Sequence, residues 1–458
     1  MGGKTKGRRG SAITRGLADV GLKKKQPIWI IANLFLESDP GLEAVLSLVK
    51  EKLLEVPRFA SVYRKGKFYP VDKEDIDFDY HLVEKWKDET VSMEKVTEFM
   101  GTLYDPSHYD YSKPWWKFFY IPKLEDGRCL LMPVINHTLC DGVAGIALIY
   151  KLIDNGPDMS KPMIRDKKQG AKPKKKKVSY LNWYNRIGWF LWGISDGLTG
   201  TIDFNDSKSS LRMKNVLKAS SDKRFAFTSP ISLEKIKTVK SKFPGATVND
   251  VLVAVLSMTI IQYLKNIDDP VLKKRSNRIR GNFPVNLRDP KKPILRDGDT
   301  SNDWGVASFR FPLKYKSRVD CFYKVKKQLD GLKSSPAPIV QKYNIKSLYG
   351  KFSPIPGWFV RDRLLALNSK VTTMISNVPG PAKEESMCGQ RLDDIQFILY
   401  SPVGMYMGVL SYNGKVSVSL ACDASLEDPA DIAKLWDVEF DKFCEEVMAH
   451  EGDFPVKR

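Results

Sequence analysis

Cysteine and histidine are scarce, at six and four in 458 residues. Cys129, Cys140, Cys321, Cys388, Cys422 and Cys444 are scattered, without close pairs or histidine partners. That argues against a structural zinc site or a disulfide framework and fits a reducing compartment. The N-terminus lacks the apolar core of a secretory signal, so a secreted protein is not expected. Gly2 follows Met1, but Lys6 stands where an N-acylation signal carries Ser or Thr. No segment reads as a membrane span, which needs ~20 mainly apolar residues. No internal repeat marks a solenoid.

What the chain has in excess is positive charge, +20 at neutral pH, with 42% hydrophobic and 11% aromatic residues. The apolar content makes it globular rather than disordered. The charge is local. Residues 1–25 hold eight basic side chains against Asp19, and residues 161–177 hold nine against Asp166, which leaves only +5 for everything else. A nucleic-acid reader would spread its charge along a folded face, so no nucleic-acid partner is expected. The second run is followed by Tyr180–Trp192, dense in aromatics. Lysines drawn to anionic lipid, followed by rings that prefer the headgroup level, suggest docking on a membrane surface. Asn182, Asn185, Arg186, Ser195 and Asp196 interrupt the stretch, so it reads as interfacial or packed on the protein.

The length suits two domains. The expected division is a basic flexible tail at 1–25, an N-terminal domain at 26–156, a basic and aromatic linker at 157–211 and a C-terminal domain at 212–458. Ile28 to Phe35 reads as a buried strand, and Leu42, Val45, Leu46, Val49, Leu53 and Leu54 as one apolar helix face after Asp39-Pro40. Trp115–Ile121 and Cys129–Ile135 form a predicted strand pair joined through Glu125, Asp126 and Gly127. The C-terminal part alternates helices such as Val251–Leu264 with strands at 278–284, 306–311 and 371–376. Asn413-Gly414 between Gly404–Tyr412 and Lys415–Cys422 is a two-residue hairpin signal, and a last helix starts near Pro429. The class is α/β with mixed sheets flanked by helices.

His137 ends the second strand of the first pair and is followed by Asp141 and Gly142, just before the helical spacing of Val143, Ile146, Ala147, Tyr150 and Leu152. A histidine held there by rigid elements, with a glycine beside it, can accept a proton from a substrate hydroxyl attacking an acyl carbonyl. Asp141 suits a loop-bracing salt bridge better than proton transfer, and Arg288 is a candidate partner. Thr247 through Asp250 has the form of a helix capping box. Asn377-Val378-Pro379-Gly380-Pro381 reads as a rigid turn after a strand. His81, His108 and His450 carry no catalytic motif.

In order, Phe78-Asp79-Tyr80-His81-Leu82, Lys113-Pro114-Trp115-Trp116, Asn136-His137-Thr138-Leu139-Cys140-Asp141-Gly142, Thr247-Val248-Asn249-Asp250, Pro284-Val285-Asn286-Leu287-Arg288, Ser376-Asn377-Val378-Pro379-Gly380-Pro381 and Ser411-Tyr412-Asn413-Gly414 resemble the segments of the wax ester synthase/diacylglycerol acyltransferase family over nearly the whole chain. That family usually has two adjacent histidines. Here the first is Asn136, and the second, which the resemblance makes the general base, is His137. The resemblance implies two chloramphenicol acetyltransferase-like domains with an active-site tunnel between them. It places Asn249 and Asp250 beside the tunnel, where Asn249 could orient the acyl carbonyl or donate to the developing oxyanion, and makes Asn377, Pro379 and Gly380 a tunnel-lining turn. Pro114 and Trp115 belong to a shared motif but read as core residues. The implied activity moves a fatty acyl group from acyl-CoA, as substrate, to a long-chain alcohol or diacylglycerol, with no cofactor and no metal. A cytoplasmic-side, peripheral place on endoplasmic reticulum or lipid-droplet membrane is expected, with an anionic membrane surface as partner. The competing readings are a same-fold enzyme for another alcohol and a non-catalytic lipid-binding protein.

Overall fold

A computed structural model describes residues 7–24, 27–159, 182–199, 205–213, 219–275, 277–289, 294–295, 300, 302–348, 369–399, 403–426 and 428–457. In chain order the N-terminal half holds β1 (Arg8–Arg9), α1 (Ala12–Lys24), β2 (Trp29–Leu36), α2 (Leu42–Leu48), β3 (Ser61–Arg64), β4 (Lys67–Pro70), α3 (Phe78–His81), β5 (Leu82–Glu84), α4 (Met93–Thr102), β6 (Trp116–Ile121), β7 (Cys129–Asn136) and α5 (Gly142–Leu152). Next come α6 (Trp183–Thr199), β8 (Lys223–Phe227), β9 (Ile231–Ser232), α7 (Leu233–Ser241), α8 (Val248–Asn266), β10 (Arg280–Asn286), β11 (Trp304–Arg310), α9 (Arg318–Ser334) and α10 (Ala337–Leu348). The chain closes with β12 (Thr373–Pro379), β13 (Glu385–Met387), β14 (Gln390–Leu399), β15 (Met405–Tyr412), β16 (Lys415–Asp423), α11 (Ala430–Ala433) and α12 (Leu435–Met448).

Two large mixed sheets organise the molecule. The first has the order β13-β14-β2-β7-β6-β5, and the second β11-β10-β12-β15-β16-β8 with β9 also on β16. β2, β6 and β7 are almost wholly buried, so their residues are apolar nearly throughout rather than alternating. In the second core α8 is buried on all sides by α7, α9 and α12, and it is apolar all round for the same reason. It is also the one described helix long and apolar enough to cross a membrane. The hairpin turn Asn413-Gly414 has φ of 42° and 72°, the left-handed pair that asparagine and glycine tolerate.

The sheet order departs from the expected domain boundary. β13 and β14, from the C-terminal part, complete the first sheet, with Ile395 opposite Leu34 and Phe397 opposite Ala32. β14 therefore buries its Leu392, Ile395 and Ile398 in the first core before the chain returns to the second sheet. The flexible tail also needs correction. Residues 12–24 form α1, which buries Ile13, Ala18 and Val20, and Arg8 and Arg9 pair with Phe68 and Lys67. The eight basic residues of 1–25 hid an apolar helix face from a reading by charge. The linker likewise ends in fixed structure: Asp206 accepts from the Arg280 backbone and Nε at 2.8 and 2.7 Å and from Thr372 Oγ1 at 2.8 Å. The lysine run at 161–177 lies outside the described residues.

Candidate active site

β7 carries the chain between β2 and β6, and the pairing runs on through its last residues: the Asn136 N–H donates to Trp115 O at 3.0 Å and the His137 N–H to Ile28 O at 2.9 Å. The strand then turns sharply. Asn136 Oδ1 accepts from the Thr138 N–H at 3.1 Å, a side-chain turn that asparagine makes readily. Asp141 ends the turn as the N-cap of α5, with Oδ1 accepting from the Ala144 N–H at 3.0 Å. The HxxxDG spacing is thus the length of one turn plus a cap.

The loop is then clamped from the other half of the molecule. Asp141 Oδ2 accepts from Arg288 Nη2 at 2.7 Å and from the Asp303 N–H at 3.1 Å. Both members of the ion pair are largely buried, so it is screened little by solvent. Asn302 Nδ2 donates to His137 O at 2.8 Å, the Thr300 hydroxyl donates to Leu139 O, and Arg58 reaches the Thr138 carbonyl at 3.4 Å. The backbone of the loop is fixed by Arg288, Thr300, Asn302 and Asp303, while the imidazole is held far less. Its Nδ1 is buried and has no hydrogen-bond partner among the described residues, and the nearest recorded ring, Trp304, presents itself at 6.5 Å. Burial pushes the His137 pKa below that of an ordinary histidine, against the pull of its own backbone, the Asp141 charge and Asn302. A depressed pKa keeps the ring neutral at physiological pH, which is the form that accepts a proton.

Of the other predicted residues, Arg288 is found at Asp141 as expected. Asn249 and Asn377 meet each other, with Asn377 Nδ2 donating to Asn249 Oδ1 at 2.8 Å. Asp250 is fully buried, closes the capping box with Thr247 and pairs with Lys333 at 2.8 Å, so it is a structural carboxylate. Pro114 and Trp115 are core: Trp115 Nε1 donates to Tyr111 O and its ring packs on Tyr63. Pro379 ends β12, and Gly380 passes so near β15 that a Cβ there would meet Ser411 O at 2.6 Å. Thr300, Asn302 and Asp303 were missed by sequence reasoning. Their only signal is a run of turn formers, Asp297-Gly298-Asp299-Thr300-Ser301-Asn302-Asp303, ahead of a strand.

Beside the loop lies an apolar cavity of about 60 Å³, well below the range of about 300–1,000 Å³ usual for whole-ligand clefts, so it holds part of an apolar chain at most. Its floor is one cross-strand row of the first sheet, Phe118, Pro133, Ala32 and Phe397. Its roof is α5, which presents Gly142, Gly145, Ile146 and Ile149 at helical spacing, and Val378 of β12 closes one side. Gly145 would normally cost a helix about 1 kcal/mol against alanine. A Cβ there would meet nothing within 4 Å, so the missing side chain leaves open space. Cys140 and Gly142 join this cavity to the His137 loop.

Residues 39–252 match the model of the wax ester synthase/diacylglycerol acyltransferase catalytic domain, and residues 300–443 match the C-terminal domain of the same family. Wax ester synthase/diacylglycerol acyltransferase 10 of Arabidopsis thaliana is 23% identical over 70% of this chain and 72% of its own length. A probable diacylglycerol O-acyltransferase of Mycobacterium tuberculosis is 24% identical over 74% and 75%. Among solved structures, the wax ester synthase/diacylglycerol acyltransferase of Marinobacter aquaeolei VT8 superposes with a TM-score of 0.64 at 18% identity, over 96% of this chain and all of the other. A trichothecene 15-O-acetyltransferase of Fusarium sporotrichioides gives 0.58 at 11% identity over 96% and 94%. These two show the shared fold.

Proposed function

The chain belongs to the wax ester synthase/diacylglycerol acyltransferase family, the acyl-CoA-dependent O-acyltransferases, and from that premise we propose that His137 is the general base of fatty acyl transfer to a lipid hydroxyl. The observation that carries the reading is that the rigid loop bearing His137 also lines the apolar cavity, through Cys140 and Gly142. The apolar cavity under α5 takes part of the acyl chain of the thioester. The imidazole takes the proton of the acceptor hydroxyl as its oxygen bonds to the thioester carbonyl carbon. The tetrahedral intermediate expels the coenzyme A thiolate as the C–S bond breaks, and the imidazolium returns the proton to sulfur. No covalent acyl-enzyme is needed. Asp141 acts on this step only by holding the loop, since its two oxygens are already committed to Ala144, Arg288 and Asp303.

The acceptors that fit are a long-chain alcohol and diacylglycerol, giving a wax ester or a triacylglycerol. Purified protein incubated with labelled palmitoyl-CoA and either acceptor, with products separated by thin-layer chromatography, tests this. Ester formation that His137→Ala abolishes supports the reading, and ester formation that survives the substitution overturns it.

A further inference from the structure

Twelve large apolar side chains stay exposed among the described residues, and eight of them lie on two helices packed against each other, α6 and α10. On α6 these are Trp183, Tyr184, Ile187, Phe190, Leu191 and Trp192, from 39 to 65% exposed. On α10 they are Ile339 and Tyr343, one turn apart, at 52 and 62%. Single exposed apolar residues are ordinary, but a contiguous patch of rings on two helices marks an interaction surface. The opposite side of α6 does the packing: a Cβ on Gly331 of α9 would strike the Trp189 indole at 2.1 Å, and one on Gly193 would strike Ser335 and Pro336. Trp189 is therefore a packing contact, so of the two readings of the aromatic stretch, interfacial or packed on the protein, the second holds for this ring.

Charge identifies what covers the patch. From Lys167 to Ser195 the chain carries eight basic residues and no acidic one, and Arg186 stands exposed among the α6 rings. α10 has no acidic residue either. Aromatic and aliphatic side chains set among cations suit a helix lying in the headgroup region of an anionic bilayer. At 17 residues, with Asn185 and Arg186 on it, α6 is too short and too polar to span.

The patch is also joined to the candidate active site. Gln341 of α10 accepts from the Val306 N–H of β11 at 3.2 Å, and Lys342 pairs with Asp303, whose own N–H donates to Asp141. The turn that clamps the His137 loop thus rests directly on α10. We propose that α6 and α10 form a docking face for anionic bilayers, which sets the side of the enzyme that clamps the His137 loop against the membrane from which a lipid alcohol is drawn. The role given to the face rests on the acyl-transfer reading, but the binding itself does not.

The test uses the full chain and phosphatidylcholine vesicles with or without phosphatidylserine, sedimented in the absence of acyl-CoA. The wild type is expected to pellet with the anionic vesicles. The Phe190→Gln, Leu191→Gln, Tyr343→Gln variant should bind at least roughly tenfold more weakly. That variant should still esterify a short water-soluble alcohol at the wild-type rate, which shows that it is folded, while losing turnover of diacylglycerol presented in vesicles. A wild type that stays in solution, a variant that pellets equally well, or a wild-type dimer that the substitutions convert to monomer overturns the docking face. Absence of ester from any acceptor would overturn the acyl-transfer reading instead and leave the vesicle result intact.

Discussion

Two histidines in the same half of the molecule, His81 and His137, are held in opposite ways. His81 is fully buried, stacks on Trp116 at 4.1 Å, meets the edge of Tyr80 at 4.9 Å and has its Nδ1 2.8 Å from Trp116 O. Burial lowers its pKa to about 4. His137 is also disfavoured as a cation by burial, but it keeps partial solvent access, and its clamps fall on the backbone rather than the ring. Low pKa alone does not separate the structural histidine from the reactive one. What separates them is whether the protein grips the imidazole or the chain that carries it. A gripped ring adds stability, whereas a ring left loose on a rigid loop can meet a substrate.

That contrast can be broken by exchanging the expected effects. His137→Ala should cost roughly 10²- to 10⁴-fold in kcat, the usual worth of general-base assistance, with little change in thermal midpoint. His81→Ala should do the reverse, lowering stability by about 2–4 kcal/mol through a cavity under Trp116 while the folded enzyme turns over near the wild-type rate. Parallel turnover assays and thermal melts compare the two, and an inactive but stable His81→Ala would collapse the distinction.

Asp141→Asn sharpens the meaning of a gripped loop. Removing the charge breaks the largely buried ion pair with Arg288, so activity and stability should fall together, stability by about 2 kcal/mol. Lost activity with an unchanged melt would give Asp141 a direct chemical role. Acid titration addresses His81 by another route. Its folded pKa of about 4 lies below the ordinary value of 6.5, so between these the unfolded chain binds a proton that the native protein does not. His81 should therefore withdraw up to about 3 kcal/mol of stability as pH falls from about 6.5 to 4, and His81→Gln should flatten that part of the profile in denaturant melts.

Two smaller effects concern the surroundings of the loop. Gly145→Leu should fill the space under α5 and shift preference towards shorter acyl-CoA by about tenfold in kcat/KM, because the lost volume excludes the distal chain. Unchanged chain-length preference would move the acyl chain elsewhere. Asn136→His should stay within a few-fold of wild type, since the position serves the turn through its side-chain acceptor and sits beside the ring rather than in its place. Complete loss of turnover in a normally melting variant would assign Asn136 a role in the chemistry.

Much of this was readable in the sequence because it is local. The strands β2, β6 and β7, the capping box at Thr247, the Asn413-Gly414 turn and the HxxxDG segment each declare themselves within a few residues. Arg288 could be offered as the partner of Asp141 because a buried carboxylate needs a cation. The parts that escaped are long-range. Nothing in the periodicity of Gln390–Leu399 says that it pairs with Trp29–Leu36. A polar run at 297–303 looks like any surface loop until its side chains are seen to hold His137 and Leu139. Basic residues masked the apolar face of α1, and Trp189 looks like its exposed neighbours until Gly331 is found beneath it.

The pH dependence of kcat/KM for palmitoyl-CoA and hexadecanol, followed in the wild type and in His81→Gln, tests most directly the claim that a loosely held, neutral His137 is the base. The account predicts a single acidic limb with an apparent pKa below 6.5, unmoved by His81→Gln and absent from the residual activity of His137→Ala. A limb at or above 6.5, or the same limb in His137→Ala, would contradict it.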